Sequence, residues 1–198
     1  MTGAVIITFL NPAGPAVPAI ADAQLFALDA VQVLPGQTQP WAMAALQWLD
    51  DPANALPVAD DPAIASHACH VFACVAPWRT GTGTLVGETT HLTIVMANAA
   101  PGRDADYHRW YEEHHTPDVL ATPGVAGVWR GRLADRQVHP DTPHPGYAVL
   151  VAAATNDPQA MLAEMAARTM GTSASGIRYA PRTDAVSDER TIHFFRKL

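Results

Sequence analysis

The chain's clearest apolar run, residues 91–97 (His-Leu-Thr-Ile-Val-Met-Ala), has strand composition and passes through the turn Ala99-Ala100-Pro101-Gly102 into a different periodicity. At about 100° per residue, Tyr107, Trp110, Tyr111, His114 and His115 fall on one arc and Asp106, Arg109 and Glu113 lie opposite. This predicts a short helix with its aromatic face toward a sheet, ended by Pro117. Residues 127–133 alternate as a strand, with Val128, Arg130 and Arg132 on one face and Trp129, Gly131 and Leu133 on the other. Asp157-Pro158 starts a second helix, since Asp caps free amides and Pro suits the first helical position; Met161, Leu162 and Met165 form its buried stripe and Gly171 its stop. The polar stretches 132–145 and 172–190 read as rims or lids, the second with a short strand around Ile177-Arg178-Tyr179.

The pattern occurs twice. Thr8-Phe9-Leu10-Asn11-Pro12-Ala13-Gly14 resembles residues 95–102 in running a strand through Asn into a Pro/Gly turn. Residues 41–46, leading to Asp51-Pro52, resemble 147–152, leading to Asp157-Pro158. Each half ends on an apolar strand, residues 70–75 and 191–195. The asparagines are 87 positions apart and the Asp-Pro pairs 106, so the first copy lacks 19 residues, about the length of the histidine-bearing helix. We read an α+β chain with a complete βαββαβ unit at 91–198 and a shortened copy, without its first long helix, at 1–78. A linker at 79–90 opens with Thr80-Gly81-Thr82-Gly83-Thr84. The sheet face bared by the missing helix needs cover from residues 17–28, the second copy or another chain.

Composition narrows the partners. In 198 residues, 48% hydrophobic content is ample for a core, and 12 Lys+Arg against 19 Asp+Glu give a formal charge of −7. That balance repels phosphate backbones and disfavours nucleic acid and anionic membranes. No apolar run approaches the roughly 18 residues of a membrane span. Residues 4–10 are apolar but lack the basic flank and cleavage site of a signal peptide. Cys69 and Cys74, five apart on one strand, point to opposite faces, which fits a reduced, cytoplasmic setting.

Several clusters carry candidate chemistry. His108, Glu112 and His115 share one helical strip, a spacing that could hold a metal, but the pattern is not that of zinc hydrolases and two of the three lie at the edge of the arc. No metal is expected. His67, Cys69, His70 and Cys74 read as ordinary strand packing, and His139 and His144, among Pro140, Pro143 and Pro145, as solvated. Gly81-Thr82-Gly83 lacks the third glycine of a phosphate-cradling loop, and no nucleophile elbow is present.

The string Arg103…Trp110-Tyr111-x-x-x-His115-x-Pro117, followed by Pro123-Gly124-Val125 entering the next strand, resembles the EthD-like family of the dimeric α/β-barrel, ferredoxin-like superfamily. The match is close over residues 91–133 and looser beyond; the first half matches only through its strands. The resemblance implies four-stranded antiparallel sheets, each with helices on one face, two of which pair into a barrel, here within one chain as a monomer or homodimer. Relatives of this kind include cofactor-free monooxygenases, muconolactone-type isomerases, polyketide cyclases and haem enzymes, with a pocket between helices and sheet. Haem would use His115 or His193, but no sequence element specifies it and no cofactor is expected.

The motif singles out His115, whose imidazole can titrate near neutrality, as general acid or base, with Tyr111 and His114 beside it. Trp110 and Tyr107 would hold the substrate, either Tyr107 or Tyr111 donating a hydrogen bond to its oxygen. Asp118 would orient the His115 ring, and Arg130 would neutralise a carboxylate or enolate. The expected function is an isomerase, lyase, cyclase or cofactor-free oxygenase acting on an aromatic or lactone-like catabolite. The rival is a non-catalytic small-ligand-binding or scaffold protein whose aromatic helix is merely core.

Overall fold

The computed structural model describes residues 3–32, 40–56, 61–80 and 89–198; the glycine-threonine linker expected at 81–84 lies outside them. Among the described residues eight strands are formed: β1 (Ala4–Pro12), β2 (Gln24–Leu28), β3 (Met43–Leu49), β4 (Ile64–Thr80), β5 (His91–Ala99), β6 (Val125–Leu133), β7 (Tyr147–Ala153) and β8 (Val186–Lys197). They close into one barrel in the order β1-β3-β2-β8-β5-β7-β6-β4, every neighbouring pair antiparallel. Within that circle, β4-β1-β3-β2 and β8-β5-β7-β6 are the same strand order used twice. Closure at the β2–β8 and β4–β6 seams leaves these strands no open edge, which removes the liability of unpaired backbone.

Alternation sorts the side chains into two cores. Val5, Ile7 and Phe9, Phe72, Ile94, Trp129, Leu150 and Phe195 meet inside the barrel. On the outer face of the second half, Val128, Val149 and Val151 pack under the helices, against Tyr107, Tyr111, Val119 and Met161. Asp157 caps the second helix, α3 (Pro158–Met170), by accepting from the Ala160 N–H at 2.9 Å, and Gly171 ends it with φ 72°, a conformation that suits glycine.

The first copy lost more than its first helix. Asp51 again caps, accepting from Ala53 N–H at 2.8 Å, but among the described residues only a 3₁₀ turn, Pro52–Asn54, follows. Pro57 and Pro62 lie just downstream, and neither can continue a helix. Cover comes from two of the expected sources. Ile20, Ala23 and Leu25 pack on Leu10, Met43 and Ala45. Ala134 and Val138, from the loop after β6, pack on Ile6, Cys69 and Val71. Gln137 clamps that loop down, donating to the Val71 carbonyl at 2.8 Å and accepting from its N–H at 2.9 Å.

The repeated asparagines have one job. Asn11 accepts from Ala42 N–H at 2.9 Å and Asn98 from Gly146 N–H at 2.7 Å, each pinning the residue before the third strand of its unit. Met43 is therefore the counterpart of Tyr147, two residues on from the match read in the sequence.

Two local expectations change. Residues 177–179 form no strand, because Tyr179 N–H bonds to the Arg168 carbonyl at the end of α3 and not to a sheet. Pro117 does not end the aromatic helix. The helix runs as α1 (Asp104–Trp110), a π-helical turn (Tyr111–His115) and α2 (Thr116–Leu120). Thr116 N–H reaches back five residues to the Tyr111 carbonyl, and this wider turn admits a proline, which has no N–H to place. Among the described residues, no helix is long and apolar enough to cross a membrane.

Candidate functional site

The π turn sets what the aromatic helix presents. Tyr107 and Tyr111 are buried against the sheet, Trp110 and His115 are half-buried, and His114 is exposed. His114 thus leaves the buried arc, because the extra residue in the turn breaks the regular α-helical angle from which the arc was drawn. His115 stacks on Trp110 with centroids 4.5 Å apart and planes 13° from parallel, and meets the edges of Tyr111 at 5.2 Å and Tyr179 at 6.2 Å. Neither of its ring nitrogens has a hydrogen-bond partner among the described residues. Burial pushes its pKa down to about 4, against the pull of Asp118 and helped by Arg130 and Arg190. At neutral pH this imidazole is uncharged.

Arg130 reaches the same ring from the other side. Its guanidinium lies 5.0 Å from the Tyr111 centroid, a cation–π contact, and Nη2 bonds to Glu112, whose other oxygen receives Arg79 at 3.0 Å. Arg130 is only 4% exposed, yet its Nε and Nη1 have no partner. The Tyr107 hydroxyl is also sealed and unpaired; Tyr111 is close enough to influence it but not in hydrogen-bond geometry. Burial raises the pKa of both phenols, so both remain donors. Tyr147 stacks on Tyr107 at 4.4 Å and donates to Asp104; burial first, then that carboxylate, push its hydroxyl to about 12.

Asp118 accepts from Ala180 N–H at 2.7 Å, and Trp110 Nε1 donates to the Pro181 carbonyl at 3.0 Å. Together they pin residues 180–181, from the second irregular stretch, over the helix. Asp118 makes no hydrogen bond to His115 and acts on it through charge. The metal strip is not assembled: His108 packs edge-on against Tyr147, Glu112 pairs with arginines, and no three ligand side chains converge among the described residues.

A second concentration of imidazoles stands at one end of the barrel, which no reading of the sequence anticipated. Trp48, Trp78 and Trp129 pack together at the opposite end. At the end near His70, a cavity of about 480 Å³ among the described residues is lined by Phe9, Trp41, His70, Met96, Asn98 and His193, with the Pro143-His144-Pro145 segment at its rim. His144 is not solvated as expected. Its Nδ1 lies 2.9 Å from Nδ1 of His70 and its Nε2 2.9 Å from the His139 carbonyl. Burial and the facing His144 push the His70 pKa down to about 4. Strand alternation alone could have put His70 inside beside Phe72, but its partner is 74 residues away.

No protein-family model and no curated protein sequence matches the chain. Solved structures do. A protein from Lactobacillus acidophilus NCFM, provisionally assigned as a monooxygenase, superposes with a TM-score of 0.54 at 11% identity, over 98% of this chain and 93% of that one. An anthrone oxidase-like protein gives 0.52 at 9% identity, over 98% and 91%. A variant chlorite dismutase from Candidatus Nitrospira defluvii gives 0.50 at 6%, over 97% and 90%. At such identities the likeness shows the fold, and the chain is an α+β barrel of the dimeric α/β-barrel type.

Proposed function

We propose that the chain is a small-molecule enzyme whose reaction turns on proton transfer at the face between the aromatic helix and the sheet of residues 91–198, as the EthD-like resemblance implies. One observation carries this reading: His115, uncharged and without a hydrogen-bond partner, shares the Tyr111 ring with a buried arginine that has two unused nitrogens. A substrate lying along Trp110 would be flat and aromatic, with an acidic C–H or O–H. His115 takes that proton, and the anion left behind faces Arg130 and Arg190. An imidazole of pKa about 4 is a weak base while it stands alone. The same two arginines depress it, so an anion formed between them and the ring would offset their field and strengthen the base as the proton moves. Tyr111 supplies a hydroxyl donor to the substrate oxygen, and exposed His114 passes the proton to water.

Anthrone, an aromatic ketone with an acidic methylene, is a suitable probe because one structural neighbour is described as anthrone oxidase-like. Exchange of its methylene hydrogens for deuterium, followed by NMR, reads proton transfer directly. The protein is expected to accelerate exchange, and His115→Gln to lose about a hundredfold of that acceleration. A Gln variant as fast as the parent removes His115 from the chemistry. The second reading, a non-catalytic protein with a solid aromatic core, draws on the close Tyr107–Tyr147 stack and predicts no acceleration at all.

A further inference from the structure

The histidine pair at the barrel mouth has a defined proton arrangement. A carbonyl oxygen only accepts, so the 2.9 Å contact from His144 Nε2 to the His139 carbonyl places a hydrogen on that nitrogen. A neutral His144 then offers a lone pair at Nδ1. His70 must donate to it from its own Nδ1, across 2.9 Å. The Nε2 of His70 is left as a bare acceptor. It makes no hydrogen bond within the described protein, yet it is not sealed from solvent, and the space that His70 lines is the mouth cavity. The residue as a whole is only 8% exposed.

Around this acceptor most of the wall is aromatic or apolar. Phe9 lies 6.3 Å from Trp41 with planes 20° apart, and it meets His70 and His193 edge-on at 6.2 and 5.3 Å. Met96 and the prolines on either side of His144 extend the apolar surface, and Asn98, Glu189, Arg190 and Thr191 form its polar part. A buried acceptor in such a setting favours ligands that bring a hydrogen, because one that cannot donate leaves the nitrogen desolvated and unpaired. Glu189 and Arg190 stand on the lining with opposite charges, so the cavity has no net charge to favour an ionic ligand.

We propose that the cavity beside His70 is a second binding site, separate from the His115 face, for a flat, uncharged aromatic molecule carrying a hydroxyl or ring N–H. The ring lies against Phe9 and Trp41, and its hydrogen is donated to Nε2 of His70. His144 is a positioning residue, fixing which nitrogen of His70 is bare.

Naphthol and methoxynaphthalene, alike in ring but not in hydrogen, test this by isothermal titration and by quenching of Trp41 fluorescence. The parent protein should bind naphthol about tenfold more tightly than the ether. His70→Phe keeps a ring and removes the acceptor, so the preference should vanish. His144→Ala, changed in a loop and outside the sheet, frees His70 to place its hydrogen on either nitrogen; the preference should shrink, with the ¹⁵N resonances of His70 moving from the Nδ1–H pattern to a mixture. Equal binding of the two probes by the parent, no binding of either at millimolar concentration, or an undiminished preference in His144→Ala overturns the proposal. A preference abolished by His115→Gln and retained by His70→Phe also overturns it, since the ligand would then sit at the helix face.

Discussion

His115 and His70 have the same electrostatic character for different reasons. Each is held uncharged by burial, His115 among aromatic rings beside two arginines and His70 against another imidazole. In the unfolded chain both return to an ordinary value near 6.5. Between about 4 and 6.5 the unfolded state therefore binds protons that the folded state refuses. Stability is full above that window, falls as pH drops through it, and levels off below about 4. Each imidazole is expected to contribute about 3 kcal/mol to the loss. Urea unfolding at the two ends of the window measures it, and His115→Gln should remove its share. An identical pH slope in that variant would mean that the ring titrates as freely folded as unfolded. His115's place on the inner side of the helix was legible from spacing and motif. The pairing of Arg130 with Glu112 was not, because the two are 18 residues apart and meet only when β6 lies under the helix.

The aromatic helix shows how an element can be right in kind and wrong in detail. Its aromatic face, its entry through Gly102 and its contact with the sheet follow from apolar spacing, and the Asp157 cap and Gly171 stop of α3 follow from local chemistry. A uniform angular step, however, assumes uniform hydrogen bonding, and the turn at 111–115 departs from it to accommodate Pro117. Pro117→Ala returns an N–H that can bond to the Glu113 carbonyl and pull the turn into regular α-helix. The rotation should carry His115 away from Trp110. Its NMR titration would then rise from about 4 toward the ordinary value, with a change in unfolding free energy below about 1 kcal/mol. A titration midpoint that stays put would show that packing on Trp110, not the proline, holds the π turn.

At the scale of the molecule, the two copies depend on each other. Strands of both line one interior, and the outer face of the first sheet is covered in part by the 134–146 loop of the second. Residues 1–80 made alone would expose that face and both closing edges. They should show no cooperative thermal unfolding and no near-ultraviolet circular dichroism, and should regain both when mixed with residues 81–198. A cooperative transition in the isolated first unit would instead show that the two halves are autonomous. With the barrel closed inside one chain, no second copy is needed to complete it.

Periodicity, caps and the internal repeat are properties of neighbours along the chain, so the amino-acid order by itself determined the α+β class, the duplicated strand plan, the shortened first copy and the inward imidazole at 115. The tertiary structure alone decided the rest: that a proline-rich loop replaces a helix, that Glu112 serves two arginines, and that His70 and His144 meet at one end of the barrel. Those contacts join residues that are remote in sequence, and closing the barrel is what brings them within hydrogen-bonding range.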